Sequence, residues 1–213
     1  MCAVIGTSLT NPSIEDLDMV RNLFLESRIR GLHATGLSYV KQGKVVTLRE
    51  AVSAKHFSAL PRLEEFINED GNLYLIGHCR YSTSDLNYNQ PIQISDDLAI
   101  AHNGVVTQEL PENWESMYGY KTQGKNDSEL LNLTIQDSLD PLFVWKDSSL
   151  SVIELHADKR VKYYRNGKRP LYVTDTPNGY IITSTRDIAK RAGITYEPKR
   201  VGCKEKDLQP LFS

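Results

Sequence analysis

Residues Leu73–Tyr81, LYLIGHCRY, are apolar on both alternating faces. Successive side chains of a strand point to opposite sides of its sheet, so a strand of this composition has to be covered on both sides. Leu98–Gly104, LAIAHNG, repeats the pattern and ends on an Asn-Gly turn signal. Cys2–Thr7 reads as another strand, and a helix follows it, with Ile14, Leu17, Val20, Phe24 and Leu25 at helical spacing behind a Ser13 cap. Leu37–Val40 and Lys44–Leu48 flank Gln42-Gly43 as a hairpin, and helical turns fit between Ala51 and Asn68. Asp127–Gln136 reads as a short helix. The last third offers strands near Ser151–His156, Arg160–Arg165, Pro170–Val173 and Tyr180–Thr183, then a helix over Thr185–Ala192. Buried central strands with interspersed helices predict an α+β layered sandwich. Two stacked sheets with helices outside them would supply the cover, and periodicity by itself leaves other α+β plans open.

Composition narrows the function classes. A chain of 213 residues fits one domain over 1–213. A net charge of -2 gives no electrostatic reason to expect nucleic acid or an anionic membrane as partner. No apolar run is long enough to span a bilayer, and the N-terminus shows no signal peptide. The three cysteines, Cys2, Cys79 and Cys203, cannot all pair, and none lies in a CxxC, which predicts a reducing cytoplasm. His78 and Cys79 are strand neighbours pointing to opposite faces, and no pair of histidines or cysteines has metal-site spacing. No metal and no cofactor are expected.

Four stretches carry candidate chemistry. Cys2 is either a small buried hydrophobe or, once Met1 is removed, a thiol beside a free amine. A free thiol titrates near ~8.5 and an α-amine near ~7.7–8.0, so the amine can accept the thiol proton without a histidine. In GHCRYSTSDLNYNQP, Gly77–Pro91, a strand delivers Arg80 to its end. A guanidinium fork suits a carboxylate, and Thr83 adds a hydroxyl donor; a surface salt bridge is the plainer reading. In AHNGVV, Ala101–Val106, the Asn103 amide and the Gly104 N–H can converge as an oxyanion hole, or form an ordinary hairpin turn. In KNDSELL, Lys125–Leu131, Asn126 or Asp127 would cap a helix, and the Asp127 carboxylate suits an ammonium.

The order of these motifs is more specific than any one of them. An N-terminal Cys, RGxxxxG, GHxRYST with NQP, HNG, a DSE helix start and GKRPL together resemble the class II glutamine amidotransferases, most nearly the glutaminase domain of amidophosphoribosyltransferase. The resemblance covers Cys2 to Gly193. It implies a four-layer α/β/β/α sandwich of the N-terminal nucleophile hydrolase type and hydrolysis of the L-glutamine side-chain amide. By the same resemblance Cys2 is the nucleophile, with Asn103 and Gly104 as oxyanion hole. Arg80, with Thr83 and Gln90 beside it, holds the α-carboxylate, and Asp127 the α-ammonium. Arg30, Gly31, Tyr81 and His102 support the site. The chain departs from the pattern at Ala3, His33 and Ser84-Asp85. No stretch resembles a phosphoribosyl-pyrophosphate loop, so the resemblance implies a separate ammonia-accepting synthase subunit. An amidohydrolase acting on another γ-glutamyl or small amide, and a non-catalytic module binding glutamine or a partner, are the alternatives.

Overall fold

The computed structural model describes residues 2–82, 86 and 88–203. Eleven strands are found among them: β1 (Ala3–Thr10), β2 (Ala34–Lys41), β3 (Lys44–Glu50), β4 (Asn72–Arg80), β5 (Ile92–Ser95), β6 (Leu98–His102), β7 (Ser151–His156), β8 (Val161–Arg165), β9 (Tyr172–Thr176), β10 (Gly179–Thr183) and β11 (Lys199–Arg200). They form a seven-stranded sheet ordered β11-β9-β10-β1-β4-β2-β3 and a four-stranded sheet ordered β5-β6-β7-β8. Every paired neighbour is antiparallel.

Three cores separate four layers. On β1 and β4 the odd-numbered side chains Ala3, Ile5, Leu9, Leu73, Leu75 and Cys79 face outward onto α1 (Ile14–Ser27), α5 (Arg186–Arg191) and the helical turns of Leu60–Phe66. Helix α1 starts at Ser13 through a capping box with Asp16, as its sequence predicts. It buries Val20, Leu23 and Phe24, each stabilising the layer by about 1.5–3 kcal/mol. The even-numbered Val4 and Ile76 face inward, where they meet Ala99, Ala101, Ile153 and Leu155 of the second sheet. The far face of that sheet, with Ile100 and Val152, is covered by α2 (Trp114–Tyr118), α3 (Ser128–Gln136) and α4 (Pro141–Val144). The predicted α/β/β/α sandwich is the one observed. No helix among the described residues is long and apolar enough to cross a membrane.

Differences from the sequence reading are local. β1 runs on to Thr10 because it pairs with β4 as far as Asn72. β5, α2 and α4 were not expected: β5 has four residues with a register shift at Gln93/Ser95, and the two helices have five and four residues. The Asn103-Gly104 pair is not a hairpin turn. The chain continues past it, and Val105 pairs with Ser149 in an isolated antiparallel bridge.

Candidate active site

Strand alternation decides what faces what. Side chains two apart on a strand share a face, so Cys2 follows Val4 inward, and His78 and Arg80 follow Ile76. On β6 Ala99 and Ala101 point inward, so Asn103 continues that face while His102 points outward to α3. Because Ala3 lies opposite Cys79 in an antiparallel pair, Cys2 meets the Arg80 end of β4. The predicted nucleophile, carboxylate clamp and oxyanion donor thus share the space between the sheets at one end of the sandwich.

Cys2 is half-buried, and its Sγ lies 3.9 Å from the carbonyl oxygen of Tyr81. Arg30 Nε donates to the Cys2 carbonyl at 2.9 Å. Burial draws the Arg30 pKa below its ordinary value; nearby Cys2 opposes the shift and the Arg169 cation adds to it. The guanidinium stays charged throughout. Gly31 lets the turn carrying Arg30 lie directly on β4, since a Cβ there would stand 2.3 Å from Cys79 O. His33 N donates to Arg80 O at 2.9 Å, Ser82 N donates to His33 Nδ1 at 2.9 Å, and the His33 ring packs on Tyr81.

Arg80 is tied to main-chain and side-chain acceptors of the segment that follows its strand. Its Nη1 donates to Tyr88 O at 2.9 Å and to Asn89 Oδ1 at 2.8 Å, and Tyr88 O also accepts from Asn126 Nδ2 at 2.8 Å. The guanidinium is held by the loop that follows its own strand. Thr83 lies outside the described residues, as do Ser84 and Asp85.

The HNG stretch is built from below. His102 Nε2 lies 3.0 Å from Ser149 O, which can only accept, so Nε2 carries the proton. Nδ1 then accepts from Ser128 Oγ at 2.9 Å. Burial holds the His102 pKa below its ordinary value, against the opposing pull of Asp127, which keeps the ring neutral. Asn103 N donates to Ser151 O and Val105 N to Ser149 O, and among the described residues the Gly104 N–H between them is unspent. The side-chain Nδ2 of Asn103 is buried and has no hydrogen-bond partner among the described residues. Gly104, at φ +156, could carry no side chain: its Cβ would lie 1.7 Å from Ser149 O and 2.7 Å from His102 Nε2.

Asp127 opens α3 but does not cap it with its side chain. Its Oδ2 instead accepts from Val106 N at 2.6 Å and Thr107 N at 3.4 Å, tying α3 to the segment after Gly104. Asn126 is the residue whose side chain satisfies an early helix donor, Ser128 N at 3.1 Å. Gln90 is 7% exposed, and its amide is spent on His102 N at 2.7 Å and Ser128 Oγ at 3.1 Å. It therefore supports the site from the interior instead of lying open beside Arg80. A cavity of about 560 Å³, lined among others by Arg49, Tyr88, Asn89 and Asn126, adjoins the Arg80 anchor and contains none of Cys2, Arg80 and Asn103. The sequence reading missed Ser128, Asn89 and Ser149. The first two lie inside quoted motifs, and Ser149 carries no local signal.

A cysteine at the start of an inner strand, between two sheets sandwiched by helices, defines the N-terminal nucleophile type of fold. No protein-family model matches the chain. It is 27% identical over 164 residues to the glutamine–fructose-6-phosphate aminotransferase [isomerizing] of Chlorobaculum tepidum, a match covering 72% of this chain and 24% of that protein. Among solved structures it is similar to the glutamine phosphoribosylpyrophosphate amidotransferase of B. subtilis complexed with ADP and GMP, with TM-score 0.70 and 18% identity over 96% of this chain and 50% of that one. An allosteric regulatory enzyme of purine biosynthesis gives TM-score 0.67 and 20% identity over 94% of this chain and 46% of that one. The chain thus has the fold of the class II glutamine amidotransferase domain, and it spans half or less of the length of these relatives.

Proposed function

We propose that the chain hydrolyses the side-chain amide of L-glutamine and supplies ammonia to a separate acceptor enzyme. The observation that carries this reading is the pair of unspent donors, Asn103 Nδ2 and Gly104 N–H, at the end of the sandwich where Cys2 and Arg80 face inward. With Met1 removed, the α-amine of Cys2 takes the thiol proton as sulfur attacks the amide carbon. The resulting oxyanion is received by Asn103 and Gly104, a kind of interaction worth about 3–4 kcal/mol per donor. Collapse breaks the C–N bond, and the ammonium returns its proton to the leaving nitrogen, giving ammonia and a γ-glutamyl thioester. Water, deprotonated by the same amine, then attacks the thioester and releases glutamate. Arg80 faces the α-carboxylate and Asp127 the α-ammonium, so the site describes a free amino acid with a side-chain carbonyl. The relatives' names support an amidotransferase role, with the acceptor lying outside the region matched.

Intact mass before and after 6-diazo-5-oxo-L-norleucine tests the reading. A chain lacking Met1 with one adduct, mapped to Cys2 and blocked by glutamine, is expected, together with ammonia release that Cys2→Ala abolishes. A processed, folded protein that takes no adduct and releases no ammonia would refute it.

A further inference from the structure

Three buried residues form a hydrogen-bonded ring behind the proposed oxyanion donors, closed through the main-chain N–H of His102. Gln90, His102 and Ser128 are 7%, 2% and 1% exposed. Gln90 Oε1 accepts from His102 N at 2.7 Å, Gln90 Nε2 donates to Ser128 Oγ at 3.1 Å, and Ser128 Oγ donates to His102 Nδ1 at 2.9 Å. The directions are forced. Ser149 O accepts from His102 Nε2, so a neutral ring has only a lone pair at Nδ1. The one hydroxyl proton of Ser128 must then go to His102, and the Ser128 oxygen must accept from the Gln90 amide.

The ring bears on catalysis through Gly104. A Cβ at Gly104 would lie 1.7 Å from Ser149 O and 2.7 Å from His102 Nε2, so the Gly104 peptide rests against the hydrogen bond between those two groups. The imidazole is a wedge that sets where the Gly104 N–H points, and Ser128 fixes the tautomer and rotation of the wedge. The ring also joins the two clamps, because Gln90 follows Asn89, the Arg80 anchor, and Ser128 follows Asp127.

We infer that Ser128 is a positioning residue for the oxyanion hole, acting through His102, with Gln90 as the third member of the ring. This rests on the glutaminase reading for its kinetic consequence, while the positional claim stands on geometry. Ser128→Ala leaves the His102 lone pair and a Gln90 N–H without partners, frees the ring to turn, and displaces the Gly104 N–H without touching Cys2 or Arg80.

Two readouts separate the claims. With glutamine, Ser128→Ala should lower kcat by about thirtyfold, below the roughly 10²–10³ for outright loss of one donor, with KM within about threefold. Alkylation of Cys2 by iodoacetamide forms no oxyanion, so its rate should match wild type, and Ser128→Thr, which keeps the hydroxyl, should recover most of kcat. By NMR, the wild-type protein should show a slowly exchanging His102 Nε2–H. Ser128→Ala should lose it and shift the Gly104 amide, a result readable even in a protein that never cleaves glutamine. Wild-type turnover with unchanged kcat in Ser128→Ala, or an undisturbed Gly104 amide, overturns the inference. So does an equal fall in kcat and alkylation rate, which marks general damage. Absence of wild-type turnover with the NMR changes intact overturns only the glutaminase reading.

Discussion

Gly31→Ala puts a methyl group where the backbone of β4 already stands. The new Cβ would lie 2.3 Å from Cys79 O, 2.4 Å from Cys79 C and 2.6 Å from Arg80 N. Non-bonded heavy atoms settle roughly 3.5–4.0 Å apart, so the Arg28–His33 turn must retreat from β4 by about 1 Å. No rotamer relieves the clash, because every atom on the far side is main chain. Two hydrogen bonds cross the same gap, His33 N to Arg80 O and Arg30 Nε to Cys2 O, both 2.9 Å, and a retreat of that size breaks them. Overpacking of this kind costs about 1–3 kcal/mol. Each lost hydrogen bond adds about 0.5–1.5 kcal/mol, which brings the total to about 2–6 kcal/mol. At about 2–4 °C per kcal/mol for a chain of this size, the melting temperature should fall by on the order of 10 °C. Thermal unfolding followed by circular dichroism measures it, with Gly202→Ala as control, since a Cβ at Gly202 meets nothing within 4 Å. If the two variants melted within about 2 °C of each other, the account of why glycine follows Arg30 would be wrong.

Arg80→Lys replaces a guanidinium anchored on Tyr88 O and Asn89 Oδ1 by an ammonium unable to keep both bonds and the fork proposed for the substrate carboxylate. A charge-assisted hydrogen bond is worth about 1.5–3 kcal/mol, so KM for glutamine should rise about tenfold to a hundredfold in ammonia-release assays with little change in kcat; an unchanged KM sinks the carboxylate clamp. His78 is fully enclosed, and burial, followed by the charge of Arg80, draws its pKa from 6.5 to about 3. The unfolded chain therefore binds a proton that the folded one refuses, so its contribution is complete above about pH 6.5 and shrinks by about 1.4 kcal/mol per unit as pH falls toward 3. Denaturant titrations of wild type and His78→Leu from pH 7 to pH 4 should show a shallower decline in the variant, and parallel slopes would dismiss the assignment.

The layers were legible because they follow from alternation. LYLIGHCRY and LAIAHNG have no polar face, and the structure gives each one core on either side, with Leu75 turned to α1 and Ile76 to the second sheet. The α2 and α4 helices were not legible, since five or four residues hold too little of a 3.6-residue period. The Asn103-Gly104 reading failed as a turn for a related reason. The glycine is required by the carbonyl of Ser149, forty-five residues away in sequence, and no local pattern reports such a neighbour. The same holds for Ser128 and Asn89, whose partners His102 and Arg80 lie twenty-six and nine residues away.

Register decides which cysteine enters the space between the sheets. Cys79 lies on the neighbouring strand opposite Ala3, yet it points outward into the helix-side core, fully enclosed, and burial pushes its thiol pKa up to about 12. Cys203 is exposed beside Arg165, whose Nη1 donates to its sulfur at 3.0 Å. A slip of β1 by one residue would turn every side chain of the strand over and carry Cys2 to the helix side. The slip is prevented at Val4, where Ser184 Oγ accepts from Val4 N at 2.7 Å and Ser184 N donates to Val4 O at 3.1 Å. It is prevented again at Gly6, where even a Cβ would come within 3.0–3.2 Å of Ile182 and Ile153, so only the present register fits. The inward aim of Cys2 is thus set by contacts at positions 4 and 6 of its own strand, made with residues more than a hundred positions away in sequence.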